Sequence, residues 1–289
     1  MPCIEEKANA KINLFLEITG KRSDGYHTLD TVMQTVTLSD TVKIMAEKND
    51  MTEIRVRCPD VPGPEEKNLA YRAAASYLKL TGIHANIRID IEKQIPQGAG
   101  LGGGSADAAA VLRGLYRLLP TSFEKEELVK AAAELGADVP FCLLGGTRHC
   151  RGIGELMDPL PGPAPVVFVI AKGSGSISTG SAYADYDALE GPKETKSSDP
   201  LIRELTNGLF PHELLYNRFE ELIIPKLPEV GMIKKILRQS GARSVLMSGS
   251  GSAVFGCFWQ IRLAQQVCTE LQNEGYFAVL SEPCPEAEF

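Results

Sequence analysis

From Ala8 to Ile18 apolar and polar positions alternate, with Ala8, Ala10, Ile12, Leu14, Leu16 and Ile18 on one face and Asn9, Lys11, Asn13, Phe15 and Glu17 on the other. That period of two predicts a strand with one core face. Lys11 and Asn13 project together from the opposite face, where a lysine is by default solvated. Gly20 to His27 is turn chemistry, and Val32, Gln34, Val36 and Leu38 start a second strand. Short strands are expected at Val42 to Ala46 and Glu53 to Cys58. A Pro/Gly loop from Pro59 to Pro64 leads to a helix from about Lys67 to Leu80, stopped by Gly82, and Asn86 to Ile91 alternates as another strand.

That strand delivers the chain to Pro96-Gln97-Gly98-Ala99-Gly100-Leu101-Gly102-Gly103-Gly104-Ser105-Ala106, with five glycines between 98 and 104 and an Ala-rich run behind them. Glycines free the backbone to curl and alanines favour helix, so the stretch reads as a loop feeding a helix N-terminus. Unpartnered N–H groups at the positive end of a helix dipole bind anions, and a nucleotide phosphate is the natural ligand. The Walker pattern fails, because no Gly-Lys-Ser/Thr follows the glycines. Gly98, Gly100 and Gly103 satisfy G-x-G-x-x-G, yet the loop is not N-terminal and Glu124, about 20 residues on, opens a helix instead of ending a strand. Both departures argue against a dinucleotide site.

The loop helix should run to about Leu119, before Pro120, and Thr121 to Glu124 has the T-x-x-E pattern of a capping box for a helix closing at Gly136. Asp138, between that glycine and Val139-Pro140-Phe141, either caps the next turn or presents a carboxylate for chemistry. Four prolines between 159 and 165 mark a domain boundary, giving units 1–160 and 161–289. Val166 to Ala171 reads as a buried strand emptying into a small-residue loop, and Gly191 to Pro200 as a mobile stretch. Helical patterns at Leu201 to Leu209 and Leu214 to Gln239 precede a second glycine loop, Ser248 to Ser252, between two strand-like runs. A helix near Ile261 to Asn273 and a strand at Tyr276 to Leu280 complete an α+β second half.

Composition narrows the class. At 289 residues, 44% hydrophobic and 23% charged, the chain is ordinary globular protein with room for a large core. A net charge of −7 argues against nucleic acid or an anionic membrane as partner and leaves a small ligand. Seven scattered cysteines without a C-x-x-C pair indicate neither a disulfide framework nor a zinc site, and point to a reducing cytoplasm. No apolar run approaches the roughly 20 residues of a membrane span.

Three separated signals coincide: Lys11-Ile12-Asn13 with Asp24-Gly25-Tyr26-His27, the glycine loop with Gly136-Ala137-Asp138-Val139-Pro140, and Ser248 to Gly256. Together, in this order over nearly the whole chain, they resemble the kinase superfamily named for galactokinase, homoserine kinase, mevalonate kinase and phosphomevalonate kinase (GHMP kinases). The Tyr26-His27 pair resembles the branch whose acceptor carries cytidine diphosphate. The resemblance implies an α+β, two-domain GHMP-kinase architecture, a ribosomal-protein-S5-like N-terminal domain joined to a ferredoxin-like C-terminal domain, with the active site between them. It implies ATP with Mg²⁺ as cofactor, a monomer or homodimer, and transfer of a γ-phosphoryl group to an alcohol. Lys11 and Asp138 match the catalytic pair, Pro96 to Ala106 the ATP phosphate loop and Asn68 an adenine contact. Asn13, Tyr26, His27 and Tyr183 match the substrate pocket, the two tyrosines against the cytosine ring and His27 at its edge. Ala106 stands where many members carry a second serine; if that hydroxyl helps hold Mg²⁺, Ser105 alone must serve, and no metal ligand is assigned from the sequence. A homoserine or mevalonate kinase would share the loop but not Tyr26-His27. A nucleotide sensor without catalysis would have replaced Lys11 or Asp138, and an S5-like RNA-binding module would need a basic face.

Overall fold

In the computed structural model, which describes all residues except 122, 164 and 190–193, the alternating segment forms β1 (Cys3–Lys21). It pairs antiparallel with β2 (His27–Lys48), one strand of 22 residues where two were expected. The polar Ser39-Asp40-Thr41 step does not end the strand, because the fully buried Asp40 carboxylate accepts the backbone N–H groups of Gln94 and Ile95 and pairs with Lys93. Then follow β3 (Glu53–Arg57), α1 (Leu69–Thr81), β4 (Ala85–Glu92), α2 (Gly103–Leu118), α3 (Lys125–Leu135), α4 (Val139–Leu144), β5 (Thr147–Gly152) and β6 (Leu156–Leu160). The order β3-β4-β2-β1-β8, with β5 on β2 and β6 beyond it, makes a seven-stranded sheet; its edge β8 (Tyr216–Asn217) arrives late in the chain.

The second sheet, β11-β7-β10-β9, is antiparallel and built from β7 (Val167–Lys172), β9 (Ser244–Met247), β10 (Val254–Phe258) and β11 (Phe277–Ser281). Beside it lie α5 (Thr179–Asp187), α7 (Glu220–Ile223), α8 (Pro228–Gln239) and α9 (Ile261–Asn273), whereas α6 (Asp199–Thr206) packs its Leu201 and Leu205 into the first core, next to β6. The single helix expected over 214–239 is thus broken into β8, α7 and α8. Pro225 and Pro228 cannot sit inside a helix, and Tyr216 and Asn217 pair with Phe15 and Leu16 of β1 instead. The capping box before α3 is real but lies three residues further on than expected: Glu124, not Thr121, is the N-cap, and Glu127 reaches back to it. Of the stretch expected to be mobile, 191–193 lies outside the described residues. The remainder is held, Lys196 N–H by Glu17 and Ser198 by Asp30.

β1 corrects the simplest reading of its pattern. Its register shifts between Asn13 and Phe15, and one extra residue flips every following side chain to the other face. Ala8, Ala10, Ile12 and Leu14 therefore pack in the core of the first sheet, whereas Leu16 and Ile18 pack in that of the second. The face that alternation leaves to solvent is covered as well: Lys11 is 4% exposed, Asn13 2% and Glu17 0%. A strand buried on both sides between two cores carries its polar residues into the seam. Residues 282–287 cross back to the first sheet, with Pro283 bridging Val36, Glu286 bridging Gly145, and Ala287 N–H donating to Leu144 C=O at 2.8 Å. Among the described residues no helix is long and apolar enough to cross a membrane.

Candidate active site

A cleft of ≈ 480 Å³ opens between the sheets. One wall is the glycine loop, which ends in α2 with Gly102 as N-cap at φ +70°, in the left-handed region that suits glycine, and without a side-chain cap. The loop carbonyls are turned into the protein. Leu101 C=O accepts from Lys11 N–H at 3.0 Å, Ala99 C=O from Ala253 N–H at 3.1 Å, and Gly100 C=O from the Ser248 hydroxyl at 3.0 Å. The first turn of α2 therefore leaves its N–H groups for an anion. Gly249 and Ser250 of the second glycine loop line the cleft beside this loop. Of the predicted ATP residues, Pro96 to Ser105 and Asn68 line the cleft, while Ala106 is buried behind the turn. Asn68 also N-caps α1, accepting Ala70 N–H at 2.9 Å.

Lys11 and Asp138 meet at the mouth of the loop, Nζ to Oδ2 at 3.6 Å, the lysine side chain 6% and the carboxylate 37% exposed. Asp138 stands at the N-cap of α4 yet makes no side-chain cap bond, so the capping alternative fails and the carboxylate faces the cleft. Arg113 of α2 fixes α4 by donating to Cys142 C=O at 2.8 Å and to Lys7 C=O of β1 at 3.0 Å. Lys11 Nζ donates to Asn13 Oδ1 at 2.8 Å, Asn13 Nδ2 to the Thr31 hydroxyl at 2.9 Å, and Thr31 to Phe15 C=O at 2.6 Å. Asn13 thus spends both ends of its amide orienting Lys11. Thr31, Asn217 and the Lys93–Asp40–Asp107 group escaped sequence reasoning. Asp107, alone among alanines on a buried helix face, was the one readable signal.

Tyr183 and Phe219 line the far end, ring centroids 5.1 Å apart and edge to face. His27 stacks on Tyr183 at 4.6 Å with 12° between the planes, and its Nε2 lies 2.7 Å from Asp187 Oδ1. The Lys21 ammonium and then His27 hold the Asp187 carboxyl below the usual carboxylate range. His27 Nε2 is therefore committed to Asp187, and His27, paired with Lys21 across the β1–β2 ladder and 9% exposed, is not among the residues that line the cleft. Tyr26 is not brought to the cleft lining; its ring is 60% exposed at the adjoining turn, where Asp24 accepts Tyr26 N–H at 3.2 Å.

The chain matches the model for the GHMP kinases N terminal domain over residues 68–146 and that for GHMP kinases C terminal over residues 201–276. It is 41% identical over 282 residues to a 4-diphosphocytidyl-2-C-methyl-D-erythritol kinase of Desulfitobacterium hafniense (strain Y51), covering 94% of this chain and 93% of that protein. A protein of the same name from Caldicellulosiruptor saccharolyticus is 40% identical over 254 residues, 87% of each chain. The crystal structure of a 4-(cytidine 5'-diphospho)-2C-methyl-D-erythritol kinase superposes with a TM-score of 0.79 at 36% identity, covering 96% of this chain and 99% of that one. Homoserine kinase from Cytophaga hutchinsonii gives a TM-score of 0.71 at 21% identity, over 99% of this chain and 96% of the other, a likeness of fold alone.

Proposed function

Because the chain belongs to the GHMP kinases, and within them to the 4-diphosphocytidyl-2-C-methyl-D-erythritol kinases, we propose that it transfers the γ-phosphoryl group of ATP to the 2-hydroxyl of that cytidyl alcohol, in the cytoplasm and in the non-mevalonate route to isoprenoid precursors. The single observation that carries the residue roles is the Lys11–Asp138 pair beside a helix N-terminus whose amides are free for phosphates. Phosphoryl transfer through a loose transition state needs positioning, charge neutralisation and a proton acceptor. Asp138 takes the hydroxyl proton late in transfer, when the P–O bond is forming, so a carboxylate suffices as base. Lys11, held by Asn13, stabilises charge on the alkoxide and the γ-phosphate. Mg²⁺ takes hard oxygen donors and much of its shell from phosphates and water. The half-buried Ser105 hydroxyl in the first turn of α2 fits that requirement and would hold it, and the ion when bound neutralises triphosphate charge. Among the described residues no cluster of three or more His, Cys, Asp or Glu side chains offers a protein-built metal cage.

For the acceptor, Tyr183 supplies a ring at the cleft end, and the exposed Tyr26 supplies a second at the rim, a face with water to lose when a base stacks on it. The division into units 1–160 and 161–289 belongs to the same proposal, with β8 and residues 282–287 crossing back over it. The test is ATP-dependent phosphorylation of a panel of alcohols with and without the cytidine diphosphate handle. Base stacking on an aromatic ring is worth about 1–3 kcal/mol, so Tyr26→Ala or Tyr183→Ala is expected to cost roughly tenfold or more in kcat/KM for the cytidyl substrate. Free methylerythritol phosphate should be a poor acceptor and indifferent to Tyr26→Ala. Equal use of homoserine or mevalonate by the wild type, or equal Tyr26→Ala penalties on both acceptors, refutes the pocket.

A further inference from the structure

α5 carries the Tyr183 ring to the cleft with little of its own to hold it there. Of its nine residues only Ala182 and Tyr186 are buried, and a helix of that length without a packed face is marginal in water. Its place is set from outside. At its far end Asp187 pairs with Lys21 and His27. At its start the Thr179 hydroxyl lies 3.2 Å from that of Ser250, and before it runs the loop 173–178 that leaves β7.

That loop is gripped at Gly175. The carboxylate of Glu229, in the first turn of α8, accepts Gly175 N–H at 2.5 Å on Oε1, and on Oε2 the Ser174 N–H at 3.2 Å and hydroxyl at 3.3 Å. Gly175 C=O accepts from the Ser252 hydroxyl at 2.6 Å and from Lys172 Nζ at 3.0 Å. A Cβ on Gly173 or Gly175 would stand 2.4 or 2.6 Å from the Glu229 carboxyl group, so the backbone lies directly on it. Three bonds to an ionised acceptor, at a helix N-terminus that favours its charge, make a firm clamp. The same stretch of chain reaches α5 further along: Lys226 Nζ lies 2.6 Å from Asp185 Oδ1, and Phe219 meets Tyr183 edge to face. The Lys226 side chain is 54% exposed, and such pairs are weak in water, so Glu229 does most of the holding. Glu229 itself does not line the cleft. Resting on the reading of Tyr183 as a wall of the cytidyl acceptor's pocket, we propose that Glu229 is a positioning residue for that acceptor. By fixing the loop from which α5 starts, it sets where the Tyr183 ring stands.

The test is steady-state kinetics at saturating ATP with the cytidyl alcohol varied, for the wild type, Glu229→Ala, Tyr183→Ala and the double variant. Stacking on the ring is worth roughly tenfold, and Glu229 can lose no more than the ring supplies, so Glu229→Ala should raise the acceptor KM about fivefold. The kcat and the KM for ATP should stay within about twofold, because Thr179 keeps its own tie to Ser250. In the Tyr183→Ala background the Glu229→Ala penalty should vanish, since two residues that act through one ring do not add. Glu229→Gln keeps one oxygen for Gly175 N–H, should show a smaller penalty of the same kind, and carries the comparison if the alanine variant does not fold. An unchanged acceptor KM in folded Glu229→Ala overturns the proposal. So do penalties that multiply in the double variant, or losses spread equally over both substrates, as a clamp that merely stabilises the fold would give. A wild type that uses the cytidyl alcohol and loses nothing in Tyr183→Ala would instead strike the pocket reading, and this inference with it.

Discussion

In the roles proposed for them, Lys11 and Asp138 act on charge that develops during transfer, so losses should fall on turnover. Lys11→Ala and Asp138→Asn are each expected to lower kcat by about 10² or more with little change in the KM for ATP; steady-state kinetics with losses confined to KM would move both residues to the binding class. Asp107 makes a different demand. Burial pushes its carboxyl up to about 7, against the pull of Lys93 and with help from Asp40. The unfolded chain releases that proton near 3.9. Between these values the native state binds more protons, so this residue's contribution to stability is full below about pH 4 and is lost as pH rises through 7. Urea midpoints of the nucleotide-free protein should show that fall, and Asp107→Asn should flatten it; parallel curves for the two proteins would refute the assignment. Such residues were legible to different degrees. Lys11 and Asp138 stood in motifs, but alternation alone left Lys11 solvated, because a period of two cannot reveal that a second core covers the outer face.

At the scale of elements, the two glycine loops touch back to back. A Cβ on Gly100 would stand 2.1 Å from the Ser248 carbonyl oxygen, and Gly100 holds φ +73°. Gly100→Ala must spread the loops, and misplacing the phosphate cradle should weaken kcat/KM for ATP by about tenfold or more. Gly82, the αL cap of α1 at φ +67°, has open space around its missing Cβ. Gly82→Ala should therefore cost about 1–2 kcal/mol of stability for the conformation alone and leave ATP kinetics unchanged. If both variants behave alike, contact between the loops is not what matters. Strands and helices with clean periods were legible in the sequence, as α9 and β4 are. The 214–239 region was not, because apolar spacing there continued past Pro225 and Pro228 and β8 owes its existence to a partner about 200 residues away. The capping box slipped three residues because Glu124 can serve at either of its ends.

At the scale of the molecule, the cleft depends on segments that return from the second sheet to the first. Asn217 of β8 donates to Met247 C=O at 2.6 Å and Gly249 C=O at 2.8 Å, tying the strand beside β1 to the second glycine loop. Residues 282–287 grip Thr35, Leu144 and Arg148, the last through Glu286 at 2.7 Å. Deleting residues 283–289 should lower the melting temperature by several degrees, each 1 kcal/mol being worth roughly 2–4 °C in a chain of this size. It should also lower kcat, since Leu144 closes the helix that Asp138 opens. An unchanged melting curve would show the strap to be idle. The same strap has a consequence for a chain made from its N-terminus onward. Lys11, the phosphate loop and Asp138 leave the ribosome early, but the Gly249 wall that abuts Lys11 and the grip on α4 are made from late residues. A chain cut short before residue 247 would lack Gly249, whose backbone lies against Gly100 and Lys11, and the 282–287 segment that holds α4.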